Sequence, residues 1–413
     1  MATTHPMSEF SAPYIGPLKS SGPFERRMPE AVICGYARTP FGKFRGGLSK
    51  YSATELGAMA VSELLKRSGI DPGSGEIDQV YMGQVLQAGA GQAPARQVAL
   101  RVGMPHSTPC TTINKVCGSS LKSVMIAASE IRAGMASLTV AGGMESMTNA
   151  PRFVRDARRG DEVPYKSLIS ILSHDGLEDA YTGEKMGNTG ETCAREFGIS
   201  RERSDSYSVR SHSLSNSGWE EGWLASECFP VGELSMDEGI RPDTDMGTLS
   251  SLAPVFDDSG QVTAGNASQV SDGASAILVA SEEKAREIGL PILARIVDYT
   301  TSGVSPERVM AAPIPAVEEL LSRNCLEPSN IDMFEHNEAF ASASCAIMDH
   351  FGVEDGRFNV HGGAISIGHP LGATGARCLM TLINALTRTE GKLGVVTICL
   401  GGGNAVAMLL ERQ

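Results

Sequence analysis

Residues 60–72 read AVSELLKRSGIDP, and residues 316–328 read AVEELLSRNCLEP. The two stretches lie 256 residues apart, and each runs on to an Ile-Asp pair, Ile77-Asp78 and Ile331-Asp332. Apolar Val61, Leu64 and Leu65 recur as Val317, Leu320 and Leu321, the spacing of one helix face. A proline turn then breaks each helix and a strand-like run follows. So long a period marks duplication of a whole domain, not a solenoid of short repeats. The chain therefore reads as two α/β halves related by pseudo-symmetry.

Further matches extend the repeat. Leu138-Thr139-Val140-Ala141-Gly142-Gly143 resembles Val396-Thr397-Ile398-Cys399-Leu400-Gly401 at a separation of 258, and Ala31 to Tyr36 loosely matches Ala294 to Tyr299. Residues 151–262 are charged, show little repeat character and read as an inserted loop domain. The expected division is an extended leader over 1–28, an N-terminal half over 29–150 and 263–293, the loop domain over 151–262, and a C-terminal half over 294–413. On this scale Cys117 falls opposite His369, 252 residues later. The halves would then bring equivalent loops to one site at their junction, a common place for a pocket.

Three glycine-bearing stretches carry reactive side chains: NKVCGSS at 114–120, IGHPLG at 367–372 and TICLGGG at 397–403. Thr111-Thr112-Ile113 reads as a strand, and the stripe Leu121, Val124, Met125, Ala128 and Ile131 as a helix ending near Gly134. Cys117 thus sits at a strand-to-helix turn, where the helix dipole and free amides are expected to lower its pKa. A cysteine at such a turn serves equally as a small buried hydrophobe. Pro370 favours the first position of a helix carrying Leu379, Ile383 and Leu386, which puts His369 at its cap. Cys399 ends a buried strand, and the Gly401 amide after it is placed to point into a cleft. Asn337, in Asn337-Glu338-Ala339-Phe340, follows another strand-like run and can orient a water or a carbonyl.

Composition excludes several classes. With 41% hydrophobic and 20% charged residues the chain reads as soluble and globular. No apolar run reaches the roughly 18 residues of a membrane span. A net charge of −13 argues against nucleic acid, although Arg152, Arg155, Arg158, Arg159 and Lys166 make a local basic cluster. Nine cysteines without CxxC pairs or His/Cys clusters at zinc spacing argue against a structural metal and for a reducing compartment. The first 28 residues lack the apolar core of a secretory signal, and Glu411-Arg412-Gln413 is not a peroxisomal tripeptide. The cytoplasm is the expected location, with a transit peptide in residues 1–28 left open. Dinucleotide, Walker A, GxSxG and HExxH motifs are absent from the sequence.

Together these residues resemble the thiolase family, the acyl-CoA C-acyltransferases. The resemblance rests on NKVCGSSLKSV at 114–124, GGMESMTNAP at 142–151, TAGNAS at 263–268, NEAF at 337–340, GGAISIGHPLGATGAR at 362–377 and CLGGG at 399–403. It implies a five-layered α/β fold of two βαβαβαββ halves with the loop domain over the active site. It implies that Cys117 is the nucleophile and His369 takes its proton, while Cys399 acts as acid/base on the second acetyl-CoA. Asn337 would hold a water that with His369 forms one oxyanion hole, and the amides of Cys117 and Gly401 would form the other. Ser268 would contact the pantetheine arm, and Met186 and Phe340 would line the acyl end. Coenzyme A thioesters would be the substrates, with no further cofactor and no metal, and the protein would be a homodimer or homotetramer.

Some positions depart from the family pattern. Lys185 stands before Met186-Gly187 where short-chain members often carry a histidine that contacts the CoA arm, which leaves chain length open. His336 replaces an aliphatic residue, His361 a common asparagine, and Asn404 a frequent Met or Gln. TAGNASQVSDG at 263–273 lies somewhat nearer the degradative 3-ketoacyl thiolases. Two other readings are a ketosynthase or hydroxymethylglutaryl-CoA-synthase-like condensing enzyme, which Cys399 disfavours, and an acyl-CoA-binding scaffold without catalysis.

Overall fold

The computed structural model describes residues 28–413 apart from Asp156 and Arg159. The leader read over 1–28 thus lies, except for Met28, outside the described residues, as does Arg159 of the basic cluster. Two aspartates display the repeat. Asp78 donates its amide to the Leu138 carbonyl at 2.9 Å, and its Oδ2 accepts the amides of Ser137 and Leu138 at 2.7 and 3.0 Å. Asp332 donates to the Leu393 carbonyl at 2.9 Å and accepts from Lys392 and Leu393 at 2.7 and 2.8 Å. Each carboxylate starts a central strand by satisfying amides that would otherwise lack partners.

The main strands are β1 (Ala31–Arg38), β2 (Gln79–Gly83), β3 (Cys110–Ile113), β4 (Leu138–Ser146), β5 (Ser271–Ser281), β6 (Ala294–Gly303), β7 (Met333–His336), β8 (Leu393–Leu400) and β9 (Asn404–Arg412). The main helices are α1 (Ala53–Arg67), α2 (Pro94–Arg101), α3 (Ser119–Arg132), α4 (Met186–Phe197), α5 (Arg201–Glu220), α6 (Pro313–Arg323), α7 (Ala341–Phe351) and α8 (Thr374–Thr389). The strands join in the order β7-β8-β9-β6-β1-β5-β4-β2-β3. The quartet β2, β4, β5, β1 repeats as β7, β8, β9, β6: the first pair in each is parallel and the others antiparallel. β1 and β6 meet at the centre through only two pairs, Val32 with Arg295 and Ile33 with Ala294. A single parallel bridge between Phe334 and Phe358 stands where the other half has β3.

Both faces of β4, β5, β8 and β9 are buried, hence their near-continuous apolar runs. On β9, Val406, Met408 and Leu410 face a central core with α3 and α8, while Ala405, Ala407 and Leu409 face an outer core with α6 and α7. On β4, Ala141 turns to the central core, and Leu138, Val140 and Met144 turn to an outer core under α1 and α2. The order is helix, sheet, helix, sheet, helix, five layers as expected.

Pairing register corrects the alignment read from the sequence. Gln79 pairs with Thr139 and Met333 with Gly394, so Leu138 corresponds to Leu393, a separation of 255 and not 258. The other alignment would match Val140, which faces outward, with Ile398, which faces the central core. An odd slip along a strand exchanges its faces. Helices α3 and α8 begin at Ser119 and Thr374, again 255 apart, so Cys117 corresponds to Gly372 and His369 to Asn114. The loops are equivalent, but Cys117 and His369 are not equivalent within them. Nor does Pro370 open α8. The chain turns there, with the Ala373 amide on the Pro370 carbonyl at 2.9 Å, and the helix starts at Thr374.

Between β4 and β5 the chain passes through α4 and α5. Ser200 caps α5 by accepting from the Arg203 amide. The hydroxyls of Tyr207 and Ser211 on α5 each hold one oxygen of Glu338 at 2.8 Å. That carboxylate ties this segment to the end of β7.

Candidate active site

The turn that presents Cys117 is braced by its own side chains. Asn114 Oδ1 accepts the Val116 amide at 3.0 Å, and Ser119 Oγ accepts the Lys115 amide at 2.9 Å while donating to the Val116 carbonyl at 2.6 Å. These bonds hold Val116 at φ 45°, which a β-branched residue avoids. Such strain costs about 1–3 kcal/mol and persists only where the surroundings enforce it. A Cβ at Gly118 would lie 2.5 Å from Leu400 Cδ2. Glycine therefore lets this loop of the N-terminal half press against the end of β8 in the C-terminal half.

His369 and Asn337 meet there. Asn337 Nδ2 lies 3.2 Å from His369 Nε2. On the other side of the ring, Nδ1 is 2.7 Å from Thr374 Oγ1, and that hydroxyl donates to the Pro370 carbonyl at 2.9 Å. The Thr374 proton is thus committed, so Nδ1 carries the ring proton and Nε2 keeps its lone pair. Burial, helped by the charge of Arg377, lowers the pKa of His369 to about 3, so the ring is a neutral acceptor at pH 7.

One cavity of about 60 Å³ is lined by Cys117, His369, Cys399, Gly401, Ser268, Met186 and Phe340 among others. Asn337 joins the set through His369. Lys185 lines a neighbouring, mainly apolar cavity of about 310 Å³. There its ammonium is paired with Glu178 and bonded to Ser173 Oγ at 2.7 Å. The two cavities share Leu177, Met186, Ser268, Phe340, His369 and Leu371, so they lie side by side.

The thiols do not behave as the turn alone suggests. Burial, then the nearby Cys399, raise the pKa of Cys117, while the amides of Cys117 and Gly401 facing its sulfur pull it down. Burial wins, so the expected lowering by the helix terminus is overturned. Burial likewise pushes Cys399 up to about 12, with its Sγ 3.8 Å from Met310 Sδ. The resting site holds two neutral thiols and a neutral imidazole.

Val116, Thr374 and Glu338 were not singled out by their sequence alone. A threonine five residues after the histidine was the one available signal for the ring's orientation. Of the basic cluster, Arg152 stacks over the Tyr165 ring at 5.4 Å and Arg155 lies 2.7 Å from His174 Nε2, both exposed. His336 is buried against Ser344 Oγ at 2.9 Å, and His361 is buried beside Trp223. Among the described residues no group of His, Cys, Asp and Glu could hold a metal ion. Among them no helix is long and apolar enough to cross a membrane.

Comparison with known proteins bears on this geometry. The sequence profile for the thiolase N-terminal domain matches residues 31–283, and that for the thiolase C-terminal domain matches 290–412. The chain is 42% identical to an acetyl-CoA acetyltransferase of Cupriavidus necator over 395 residues, covering 94% of this chain and 100% of the relative. It is 44% identical to acetyl-CoA acetyltransferase 2 of Arabidopsis thaliana, covering 92% and 97%. Its structure superposes on Acat5 thiolase from Ascaris suum in complex with coenzyme A with a TM-score of 0.86 and 37% identity, covering 93% and 100%.

Proposed function

The chain belongs to the thiolase family, and on that premise we propose that it interconverts two acetyl-CoA with acetoacetyl-CoA and free CoA. The observation that carries this is the convergence of Cys117, His369, Cys399 and Gly401 on one cavity of about 60 Å³. So narrow a space favours a short acyl group over a long chain.

The reaction runs in two halves. Cys117 Sγ attacks the thioester carbonyl of the first acetyl-CoA, its proton passes to His369 Nε2, and the CoA thiolate leaves carrying that proton. The acyl-cysteine then waits for a second acetyl-CoA. Once its own proton has passed to His369, Cys399 removes an α-proton from its methyl, the carbanion attacks the acyl-cysteine, and acetoacetyl-CoA departs as Cys117 recovers the proton from His369. Splitting one difficult carbon–carbon step in this way predicts ping-pong kinetics. Because Cys117 is acylated when the α-proton moves, a second thiol must do that work. The Cys117 and Gly401 amides face the acyl oxygen, and an oxyanion donor of this kind is worth about 3–4 kcal/mol. A water held by Asn337, together with His369 once it is protonated at Nε2, would polarise the second thioester carbonyl.

The cavity of about 310 Å³ suits the pantetheine arm, with Ser268 and Lys185 along its wall. Lys185 offers an ammonium where an imidazole is common, so it bears on CoA affinity before chain length. A homodimer or homotetramer in the cytoplasm belongs to the same reading. The test is thiolysis of acetoacetyl-CoA and of a long-chain 3-ketoacyl-CoA by wild type and Cys117→Ala. Acetoacetyl-CoA should be strongly preferred, and both activities should vanish in the variant. Wild-type inactivity on both substrates would defeat the proposal, and a long-chain preference would move the enzyme to the degradative thiolases.

A further inference from the structure

We propose that Glu145 is a positioning residue, one that sets the His369 loop against Cys117; the inference rests on the acyl-transfer function above. Glu145 lies at the end of β4 and is fully buried. In place of a cation it has three backbone donors. Oε2 accepts the amides of Val85 and Gly372, both at 3.0 Å, and Oε1 accepts the amide of Leu86 at 3.1 Å. Burial raises its pKa to about 7, while the three amides pull it down and favour the carboxylate.

Those donors belong to different halves. Val85 and Leu86 follow β2, whereas Gly372 stands three residues after His369. The loop is received at two points. Its Gly372 amide goes to Glu145, and its Gly372 carbonyl lies so close to Gly143 that any Cβ there would run into it. Glycine at 143 and a carboxylate at 145 therefore form one socket for the histidine loop. The negative charge in that socket also acts on Cys117, opposing its ionisation.

The repeat sharpens the assignment. At the separation of 255, Glu145 corresponds to Leu400 and Gly372 to Cys117. In one half a carboxylate grips the backbone at position 372. In the other the corresponding residue is the thiol, and the amide it faces is that of Gly401. The carboxylate is thus the device that fixes a C-terminal loop on the N-terminal sheet, and the side chain that loop delivers is His369.

Glu145→Gln keeps the size but turns one acceptor into an NH₂ donor facing an amide. The loop must withdraw. We expect kcat for acetoacetyl-CoA thiolysis to fall by roughly 10–100-fold, the scale of a displacement of about 1 Å at a reacting group. KM should change by less than about threefold, because binding contacts are untouched. Acetylation of Cys117 by acetyl-CoA, followed by intact mass, should slow by the same factor as kcat, in a protein that stays folded at the assay temperature. Glu145→Asp keeps the charge but shortens the reach by about 1.5 Å, and carries the same test if the glutamine variant does not fold. A folded variant with kcat within about twofold of wild type overturns the proposal. So does a parallel loss of CoA affinity, melting temperature and kcat, which would make Glu145 a fold residue only. An inactive wild type would instead remove the acyl-transfer function itself.

Discussion

The strand ends of the two halves are built alike and used differently. At the ends of β2 and β4 stand Gly83, Gly143 and Glu145, and the Gly372 loop of the other half fills the space above them. At the ends of β7 and β8 stand Asn337, Cys399 and Gly401, and the loop that arrives brings Cys117. One end is closed by backbone against glycine and carboxylate. The other stays open as a cavity of about 60 Å³ whose walls carry thiol, imidazole and amide. The duplicated strand ends thus differ, one closed and one open, because the junction lets each half supply a loop to its partner's strand ends. His369 belongs to the closing loop yet reaches Asn337 at the open end, so the closed side places its imidazole at the open one.

Alanine at Cys117 should break the open end most severely. Acyl transfer should fall by roughly 10⁴-fold or more, as for loss of a nucleophile that works as part of a unit, while the melting curve stays in place. Next in size, Cys399→Ser should still form acyl-enzyme but condense roughly 10²–10⁴-fold more slowly, the scale of a lost general acid/base. Burst kinetics with acetyl-CoA separate the two steps, and loss of the burst itself would contradict the division of labour. Thr374→Val removes the acceptor that fixes the His369 tautomer and should cost roughly 10–100-fold in acylation rate, part of the 10²–10⁴ of a general base. An unchanged rate would show that the ring needs no such holder.

The halves were legible in the sequence because AVSELLKRSGIDP and AVEELLSRNCLEP keep helical spacing and end at the same turn. Cys117, His369 and Cys399 were legible as reactive side chains in glycine-rich stretches, and the structure gathers them at one cavity. Their correspondence was not. Loops of unequal length before α3 and α8 hide the separation of 255, and only the pairing of Gln79 with Thr139 and Met333 with Gly394 reveals it. The raised pKa of Cys117 escaped for a related reason. Burial is imposed by residues distant in sequence, such as Leu400 against Gly118, and it outweighs the local amides. Glu145 sat within GGMESM, but its three donors come from residues 85, 86 and 372, which no local pattern brings together.

Two smaller effects sharpen the contrast. Alanine at Gly372, the counterpart of Cys117, puts a Cβ 2.5 Å from the Met144 carbonyl oxygen. Overpacking of this kind should destabilise the protein by about 1–3 kcal/mol, read from urea denaturation. Alanine at the two corresponding positions therefore separates them in stability: Cys117→Ala keeps the melting curve, and Gly372→Ala lowers it.

Acid should destabilise the protein through its buried histidines. Burial lowers His336 and His369 to about 3, and His361 and the α5 residue His212 to about 4. Between pH 6.5 and those values the unfolded chain binds protons that the folded one does not. Stability then falls as pH falls through that window. His361→Asn should reduce the stability lost between pH 7 and pH 5 by about 1–2 kcal/mol. An equal loss in variant and wild type would contradict the assignment.

The most direct measurement is a crystal structure of Cys399→Ser after exposure to acetyl-CoA. The acetyl group should sit on Cys117 Sγ, with its oxygen within hydrogen-bond distance of the amides of Cys117 and Gly401, one from each half. Acetyl on any other residue, or an acetyl oxygen turned away from Gly401, would contradict a site shared across the junction.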